Sequence, residues 1–204
     1  MVDFPRCRVA TWAEVDRWAD EVAAQIRAVD RIPDTIVGLT RGGWVPARVL
    51  ADRLSVKRLV SLRAQHWGVT ATPQGRAELT EGLSGSVAGG NVLIADDITD
   101  TGESLALALE AVHAQRPQRA ESATFLHISH ARHKPTYFAE EIPKESWVWV
   151  VFPWNYWEDL GTLGTRAREI NPSLEEIGKV LRERCGISIP AEHLEHVARL
   201  QGWE

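Results

Sequence analysis

The stretch NVLIADDITDTGES restricts the fold of this chain more than any other part of the sequence. Its apolar residues 92–95 predict a buried strand, and Asp96 and Asp97 follow at the end of that strand. A loop over 99–102 then precedes a helix predicted over 103–114. Because ligands of α/β sheets bind beyond the carboxyl ends of the parallel strands, the sequence predicts a binding site at this loop.

The other segments alternate between strand and helix patterns, which indicates parallel βαβ units with right-handed crossovers. An apolar stripe at helical spacing begins at Trp12 and ends at Ile26, and predicts a first helix packed on the core. The glycine-rich segment 63–90 shows little periodicity and has the length of a lid. The alternative interpretation is an exposed β-hairpin, and the two interpretations are compatible with each other. The predicted strands cover 35–39, 57–62, 92–95, 123–128 and 147–152, and a second helix covers 45–54.

Composition narrows the class of protein. A chain of 204 residues can bury one sizeable core, and a net charge of -5 argues against a general nucleic-acid binder. The sequence shows no signal-peptide pattern and no apolar run long enough to cross a membrane. Its two cysteines, Cys7 and Cys185, are far apart in sequence, which favours free thiols and a cytoplasmic location.

The C-terminal residues 158–204 predict helices. Ser173 and Glu176 have capping-box spacing, and Pro190 precedes a segment in which Leu194 and Leu200 are expected to face inward. The helices could be a DNA-binding helix-turn-helix or a hairpin packed on the main domain. The second interpretation is favoured because several glutamates in this segment would repel phosphate.

The residue types of the 96–104 loop suit a ribose phosphate. Gly102 allows a close approach of the backbone, and the N–H groups of 101–104 point outward at the positive end of the helix dipole. The paired carboxylates before the loop can accept hydrogen bonds from sugar hydroxyls, whereas helix capping would account for only one of them. The sequence contains neither GxxxxGK[ST] nor GxGxxG.

Three motifs together resemble the type I phosphoribosyltransferases, and in particular the purine enzymes that use xanthine and guanine. VLIADDITDTGES resembles their binding motif for phosphoribosyl pyrophosphate (PRPP), IVGLTRGGWVPARVLADRL their pyrophosphate loop and helix, and PKESWVWVVFPWN their base-binding region. The resemblance implies an α/β fold with a mostly parallel twisted sheet flanked by helices, and a small C-terminal helical extension. The implied division is a transferase domain over 1–157, with a lid over 63–90 and a base-binding region over 127–157, followed by the extension over 158–204.

The resemblance also implies a role for each matching residue. Asp100 is the implied catalytic carboxylate beside the base, and Arg41 the residue that neutralises the leaving pyrophosphate. Asp96 and Asp97 are the implied ligands of the ribose hydroxyls, and Asp97 is also implied to lie next to Mg²⁺, the implied cofactor. Trp147 is expected to stack on the base, and the Val148 backbone to read its edge. The implied PRPP-binding set is Asp96, Asp97, Thr99, Asp100, Thr101, Gly102, Glu103 and Ser104, with Thr40, Arg41, Gly42 and Gly43.

Base recognition is where this sequence departs from the resemblance. Enzymes that use 6-oxopurines carry a lysine at the end of the strand after the PRPP helix, and the alignment places Ile128 there. His127 and His130 flank that position and become candidate donors to the base. A shifted alignment would bring in Arg132 or Lys134 instead. The spacing of His127, His130 and His133 leaves a metal site as a further alternative.

The resemblance implies transfer of a phosphoribosyl group from PRPP to a nucleobase, expected to be a purine, in nucleotide salvage. The expected partners are PRPP and a nucleobase, with no nucleic acid and no membrane, and the expected assembly is a homodimer or a higher homo-oligomer. A PRPP-sensing regulator of the same fold is the main alternative. A PRPP synthase-like or purely structural homologue is a weaker one, since no nucleotide site is visible in the sequence.

Overall fold

The computed structural model describes residues 3–66 and 77–203 of the chain. By their contacts these residues divide into two compact units. The first, here called the sheet unit, is Ala13–Trp147; the second, the helical unit, combines Met1–Trp12 with Val148–Glu204. Residues 67–76, the middle of the predicted lid, lie outside the described residues.

The sheet unit is built on six strands in the order β4-β3-β2-β5-β6-β7. The strands pair in parallel except at β3–β4, whose antiparallel pairing joins Ala64 to Leu79 and forms a hairpin, as the alternative interpretation of segment 63–90 expected. The strands are β2 (Thr35–Thr40), β3 (Arg58–His66), β4 (Ala77–Glu81), β5 (Asn91–Thr99), β6 (Arg119–Ile128) and β7 (Tyr137–Ile142); the helices are α1 (Trp12–Ala28), α2 (Trp44–Leu54) and α3 (Glu103–Ala114).

Alternation along the central strands explains how the sheet is covered on both faces. Val37 of β2 and Ile94 of β5 belong to one buried cluster with Leu105 and Val112 of α3. Gly38, the next residue of β2, points the opposite way, where an added Cβ would lie 3.2 Å from Ala47 of α2. Helices α2 and α3 therefore cover opposite faces, and the site-bearing end of β5 is held between them.

The helical unit contains a small parallel pair, β1 (Cys7–Val9) with β8 (Trp149–Val151), and three α-helices. Helix α4 is Tyr156–Arg168, α5 is Leu174–Val180, and α6 is Ala191–Gln201. A π-helical turn, Leu181–Cys185, follows α5. The core of this unit includes Leu160, Ile177, Leu181 and Leu194, with Cys185 buried among them. Both cysteines are free thiols.

Several sequence-based expectations are corrected by the structure. Trp12 is 56% exposed and Leu200 is 62% exposed, so neither belongs to the core stripe predicted for it. Ser173 is at the N-cap of α5, but its side chain makes no capping hydrogen bond. Strands β1 and β7 were not predicted, and β4 was expected only as part of the alternative hairpin in segment 63–90. Helices were predicted over 158–204, but the bounds of α4 were not, and the strand predicted over 147–152 is shortened to Trp149–Val151.

The contacts group residues 148–157 with the C-terminal helices, whereas the sequence analysis placed them in the transferase domain. The functional boundary at residue 157 stays a prediction. Within the described ranges, no helix has the length and apolar character required to cross a membrane.

Candidate active site

Strand β5 carries the paired carboxylates inside its own length. It continues to Thr99, whereas the sequence analysis ended it at Ala95, because Asp96 and Ile98 still pair with residues of β6. The Asp97 N–H donates to Asp96 Oδ1 at 3.0 Å, and the Ile98 N–H donates to Asp97 Oδ1 at 2.8 Å. Each carboxylate therefore accepts from the next backbone amide, which fixes both side chains at the carboxyl end of the sheet.

The charges of the pair are stabilised unequally. Burial is the main cause that raises the pKa of Asp96 well above its usual value; the neighbouring carboxylate of Asp97 also raises it, and the hydrogen bond from the Asp97 N–H lowers it. Asp97 is itself 7% exposed. Two adjacent carboxylates in such surroundings are costly unless hydroxyls or a cation satisfy them, so their presence favours a ligand-binding role.

The loop after β2 lies directly against Asp97. A Cβ added to Gly42 would come within 2.7 Å of Asp97 Cγ, and one added to Gly43 would come within 2.7 Å of the Leu39 carbonyl oxygen. The Thr40–Arg41 peptide bond is cis. The two glycines thus permit the TRGG loop to pack on the end of β5, where side chains would exclude it.

The loop between β5 and α3 is contacted by the backbone of Arg132 and His133. Gly102 has a φ of 84° in the left-handed region, and an added Cβ would lie 2.8 Å from both N and O of His133. The Arg132 N–H donates to the Thr101 carbonyl at 3.0 Å. The Glu103 N–H donates to Thr101 Oγ1 at 3.3 Å, and the N-cap residue Gly102 has no side chain that could cap α3. The start of this helix therefore keeps the backbone arrangement that suits a phosphate.

Thr99 differs from the other loop residues predicted to bind phosphate. It is 3% exposed, and its hydroxyl donates to Thr124 Oγ1 of β6 at 3.3 Å. The Thr124 hydroxyl in turn donates to the Leu126 carbonyl at 2.8 Å. The Thr99 side chain is thus used between strands, so only its backbone remains for a ligand.

Side chains from two other segments of the chain contact the side chain of Asp100. His130 Nε2 lies 3.1 Å from Asp100 Oδ1, and Trp147 Nε1 donates to the same oxygen at 3.3 Å. Asp100 comes from the β5–α3 loop, His130 from the β6–β7 loop, and Trp147 from the end of the turn Lys144–Ser146. The sequence analysis expected all three to meet the base, but it did not predict that two of them would contact the third.

The strand residues before His130 are buried. Ile128 is fully buried and His127 is 2% exposed, with its ring packed on Phe138 at a centroid distance of 5.1 Å. Burial lowers the pKa of His127, so the ring is neutral near pH 7. No hydrogen bond from the described residues reaches its Nδ1. This geometry does not support direct contact of His127 or Ile128 with a base.

The alternative of a protein-only metal cluster gains no support. No group of three or more metal-ligating side chains occurs in residues 3–66 and 77–203, which include His127, His130 and His133. A magnesium site needs less, because Mg²⁺ is commonly held by one or two carboxylates together with substrate phosphates and waters. The hard oxygens of Asp96 and Asp97 fit that pattern.

The family of the chain follows from comparison with known proteins. The family described as phosphoribosyl transferase domain matches residues 10–159, which is most of the chain. The chain belongs to the phosphoribosyltransferase family. The chain is 28% identical over 152 residues to the xanthine-guanine phosphoribosyltransferase of Cereibacter sphaeroides, with 71% of this chain and 84% of the relative covered.

Solved structures agree with this assignment. The chain is similar to the purine phosphoribosyltransferase of Pyrococcus horikoshii Ot3, with a TM-score of 0.62, 26% identity, and coverage of 72% of this chain and 93% of that one. The Helicobacter pylori xanthine-guanine-hypoxanthine enzyme shares the fold, with a TM-score of 0.60, 20% identity, and coverage of 78% and 99%. The predicted family, its relation to the purine enzymes and the predicted fold class are confirmed.

The raised pKa of Asp96 leads to a prediction about stability. A carboxyl whose pKa is raised on folding contributes most to the stability of the protein when the pH is below its ordinary pKa of 3.8. This stability is lost as the pH rises through the raised pKa. Asp96→Asn avoids that loss. We expect the ligand-free variant to melt about 2–4 °C above wild type near pH 7.5, or roughly 1 kcal/mol, and to bind PRPP less tightly. Melting curves between about pH 3.5 and 8 check this. A variant no more stable than wild type near neutral pH would contradict it.

The contact between Gly42 and Asp97 leads to a second prediction. Gly42→Ala should displace the Asp97 carboxylate and reduce the PRPP-induced rise in melting temperature by more than half, an effect of about 1–3 kcal/mol in line with overpacking of a tight site. Gly161→Ala is the matched control, because its added methyl meets only the end of the flexible Gln201 side chain. An undiminished PRPP response in Gly42→Ala would show that the loop and the carboxylate do not form one site.

Proposed function

We propose that this phosphoribosyltransferase transfers the phosphoribosyl group of PRPP to a nucleobase, with a purine as the acceptor, and releases pyrophosphate. The observation that carries the proposal is the packing of Gly42, in the TRGG loop, against Asp97 at the end of β5. This packing brings the predicted pyrophosphate loop and the predicted ribose carboxylates together, with the phosphate loop following on the same strand. A PRPP molecule needs these three functions side by side.

Separate groups of residues bind the ribose, the 5-phosphate and the pyrophosphate of PRPP. Asp96 and Asp97 accept hydrogen bonds from the ribose 2′- and 3′-hydroxyls, and the backbone of 101–104 at the start of α3 holds the 5-phosphate. Arg41 and the backbone of Thr40–Gly43 hold the pyrophosphate. As C1–O breaks, positive charge develops on the sugar, as it does in glycoside hydrolysis, and the carboxylates stabilise it.

The proposed cofactor is Mg²⁺ held by Asp97 together with substrate oxygens and waters. When bound, the ion supplies positive charge to the leaving pyrophosphate. The adjacent carboxylate of Asp96, whose pKa is raised largely by burial, is the group whose ionisation such a cation would favour. The protein residues remain responsible for orienting the sugar and for excluding water from it.

The proton lost by the acceptor defines the role of Asp100. As the nucleobase nitrogen bonds to C1, pyrophosphate leaves with the electron pair of the C1–O bond, and the proton of that nitrogen passes to Asp100. Trp147 supplies an aromatic surface for a flat heterocycle, and the Val148 backbone is proposed to read its edge. Val148 begins the second segment of the helical unit, so its role rests on the resemblance alone.

The choice among purines depends on the donor to the 6-oxygen. Ile128 is fully buried and offers no donor, and Lys134 contacts Glu141 at 3.2 Å and lies over the Phe138 ring at 4.8 Å. An unpaired buried carbonyl costs about 1–3 kcal/mol, so a site without a donor discriminates poorly in favour of oxopurines. We therefore propose a purine acceptor with atypical use of guanine, xanthine and hypoxanthine.

The function is tested by incubating the protein with PRPP, Mg²⁺ and a panel of purine and pyrimidine bases, and by following pyrophosphate release. The proposal requires release that depends on a base and is fastest with a purine, and that stops when EDTA removes Mg²⁺. If the protein binds PRPP but releases no pyrophosphate with any base of the panel, the regulatory alternative is favoured. Absence of both binding and release would reject the site itself.

A further inference from the structure

Two side-chain ring nitrogens lie close to one oxygen of Asp100. His130 Nε2 lies 3.1 Å and Trp147 Nε1 lies 3.3 Å from Oδ1. No hydrogen bond from the described parts of the chain reaches Oδ2. The two oxygens of a carboxylate are chemically equivalent, so this unequal use is imposed by the surroundings.

The unequal use has a chemical consequence. A carboxylate that serves as a general base needs a lone pair that is not already accepting a hydrogen bond, and it needs to be held in one orientation. Donors at Oδ1 meet both requirements, because they fix the plane of the carboxylate and leave Oδ2 available. The Asp100 side chain is 44% exposed, so without these two contacts it would be free to change rotamer.

His130 is held in place by its own loop. The Ser129 N–H donates to the Ile142 carbonyl at 2.9 Å, and the Ala131 N–H to the Ile128 carbonyl at 3.0 Å. Ser129 Oγ accepts from the N–H of Lys144 at 2.9 Å, and Lys144 is the first residue of the turn that leads to Trp147. The two residues that contact Asp100 therefore belong to segments that are hydrogen-bonded to each other, and they form a support for the carboxylate that does not depend on a ligand.

We infer that His130 is a positioning residue for Asp100, and that with Trp147 it holds Oδ1 so that Oδ2 receives the proton of the nucleobase. The inference rests on the proposed function. In the transfer step the base nitrogen bonds to C1, the C1–O electron pair leaves with pyrophosphate, and the released proton goes to Oδ2. The Nε2 proton of His130 stays in place throughout. This role differs from the base contact that the sequence analysis expected for His130.

Steady-state kinetics of His130→Leu and His130→Gln test the inference. The Leu variant removes the donor and should lower kcat about 10- to 100-fold, with the KM for PRPP unchanged within about two-fold, since misplacement of a reacting group acts on the chemical step. Gln presents an N–H near the position of Nε2 and should restore kcat to within about five-fold of wild type. His113→Leu is the control, because His113 lies exposed in the last turn of α3.

A double variant separates positioning from a structural role or a contact with the base. In an Asp100→Asn background the carboxylate is gone, so His130→Leu should lower kcat by less than about two-fold further. A full additional loss there would show that His130 acts independently of Asp100 and would overturn the inference. So would a wild-type kcat in His130→Leu, or a Gln variant as slow as the Leu variant.

A spectroscopic measurement decides the geometry even if no base supports turnover. The indole N–H signal of Trp147 in protein labelled with ¹⁵N-tryptophan is identified by its loss in Trp147→Phe. It should shift in both Asp100→Ala and His130→Leu, and should stay in place in His113→Leu. A signal unmoved by both substitutions at the site would overturn the inference by itself. An enzyme inactive with every base, but with the expected shifts, would reject the proposed function and leave the support of Asp100 intact.

Discussion

Asp100→Asn is expected to lower kcat by about 10²–10⁴-fold while leaving PRPP binding intact, because removal of a general base typically has an effect of this size. Asn keeps the size of the side chain, and its Oδ1 can still accept from Trp147 Nε1 and His130 Nε2. The substitution therefore removes the charge and the proton acceptor without removing the contacts. The measurement is kcat from pyrophosphate release at saturating PRPP with the best base of the panel.

The control for this variant is another aspartate of the same unit. Asp52→Asn changes a carboxylate on α2 whose side chain is 59% exposed and paired with Arg48, and should leave kcat unchanged. The melting-temperature response to PRPP must also be preserved in Asp100→Asn. Turnover within about three-fold of wild type would contradict the catalytic role, since even a modest general base contributes more than that.

Asp97→Ala is expected to abolish the rise in melting temperature that PRPP and Mg²⁺ cause in the wild type. A ligand that binds only the native state stabilises it by about 2.7 kcal/mol at a hundred times its Kd. This corresponds to several degrees in a chain of this size. Asp97 is buried against Gly42, and its loss removes the proposed contacts to both a ribose hydroxyl and the cation. The response is measured by thermal unfolding with PRPP alone, Mg²⁺ alone, and both.

Asp52→Ala is the matched control here, because it removes an equivalent carboxylate from the exposed surface of α2. Its PRPP response should equal that of the wild type. A cooperative melting curve for ligand-free Asp97→Ala establishes that the variant is folded. A folded Asp97→Ala protein with an undiminished response would place the PRPP site elsewhere.

The local parts of the site could be predicted from sequence because each is continuous in the chain. An apolar strand followed by Asp96, Asp97 and a D-T-G loop specifies strand, ligands and helix start within one segment. The TRGG loop similarly combines the end of β2 with two glycines that the structure shows to be needed for close packing, Gly42 and Gly43. Alternation and helical spacing were sufficient for the elements around them.

The contacts between segments could not be predicted in this way. Trp147 is 47 positions from Asp100 and 17 positions from His130 in the sequence. Nothing in their local patterns shows that two of them donate to the third. The burial of His127 depends likewise on its packing against Phe138 of β7, a strand that the polar sequence YFAEEI did not reveal.

Most other differences between the predicted and the observed elements lie at the ends of helices and strands. The spacing of Trp12 and Leu200 fits their helical stripes, but both lie at helix ends, where the core no longer covers the apolar face. The strand β5 was predicted too short because Asp96 and Asp97 were taken as loop residues. Carboxylates are unfavourable inside a strand, and their presence there is accounted for by the ligand-binding role proposed for them.

We propose above that the site at the carboxyl end of β5 transfers a phosphoribosyl group from PRPP to a base. The most direct test measures both products of that reaction. Wild-type protein is incubated with PRPP, Mg²⁺ and each purine, and pyrophosphate and nucleoside monophosphate are measured in the same sample. We expect equal amounts of the two products, formed only when base and Mg²⁺ are both present, and strongly reduced in Asp100→Asn. Pyrophosphate without nucleotide, or neither product with any base, would contradict it.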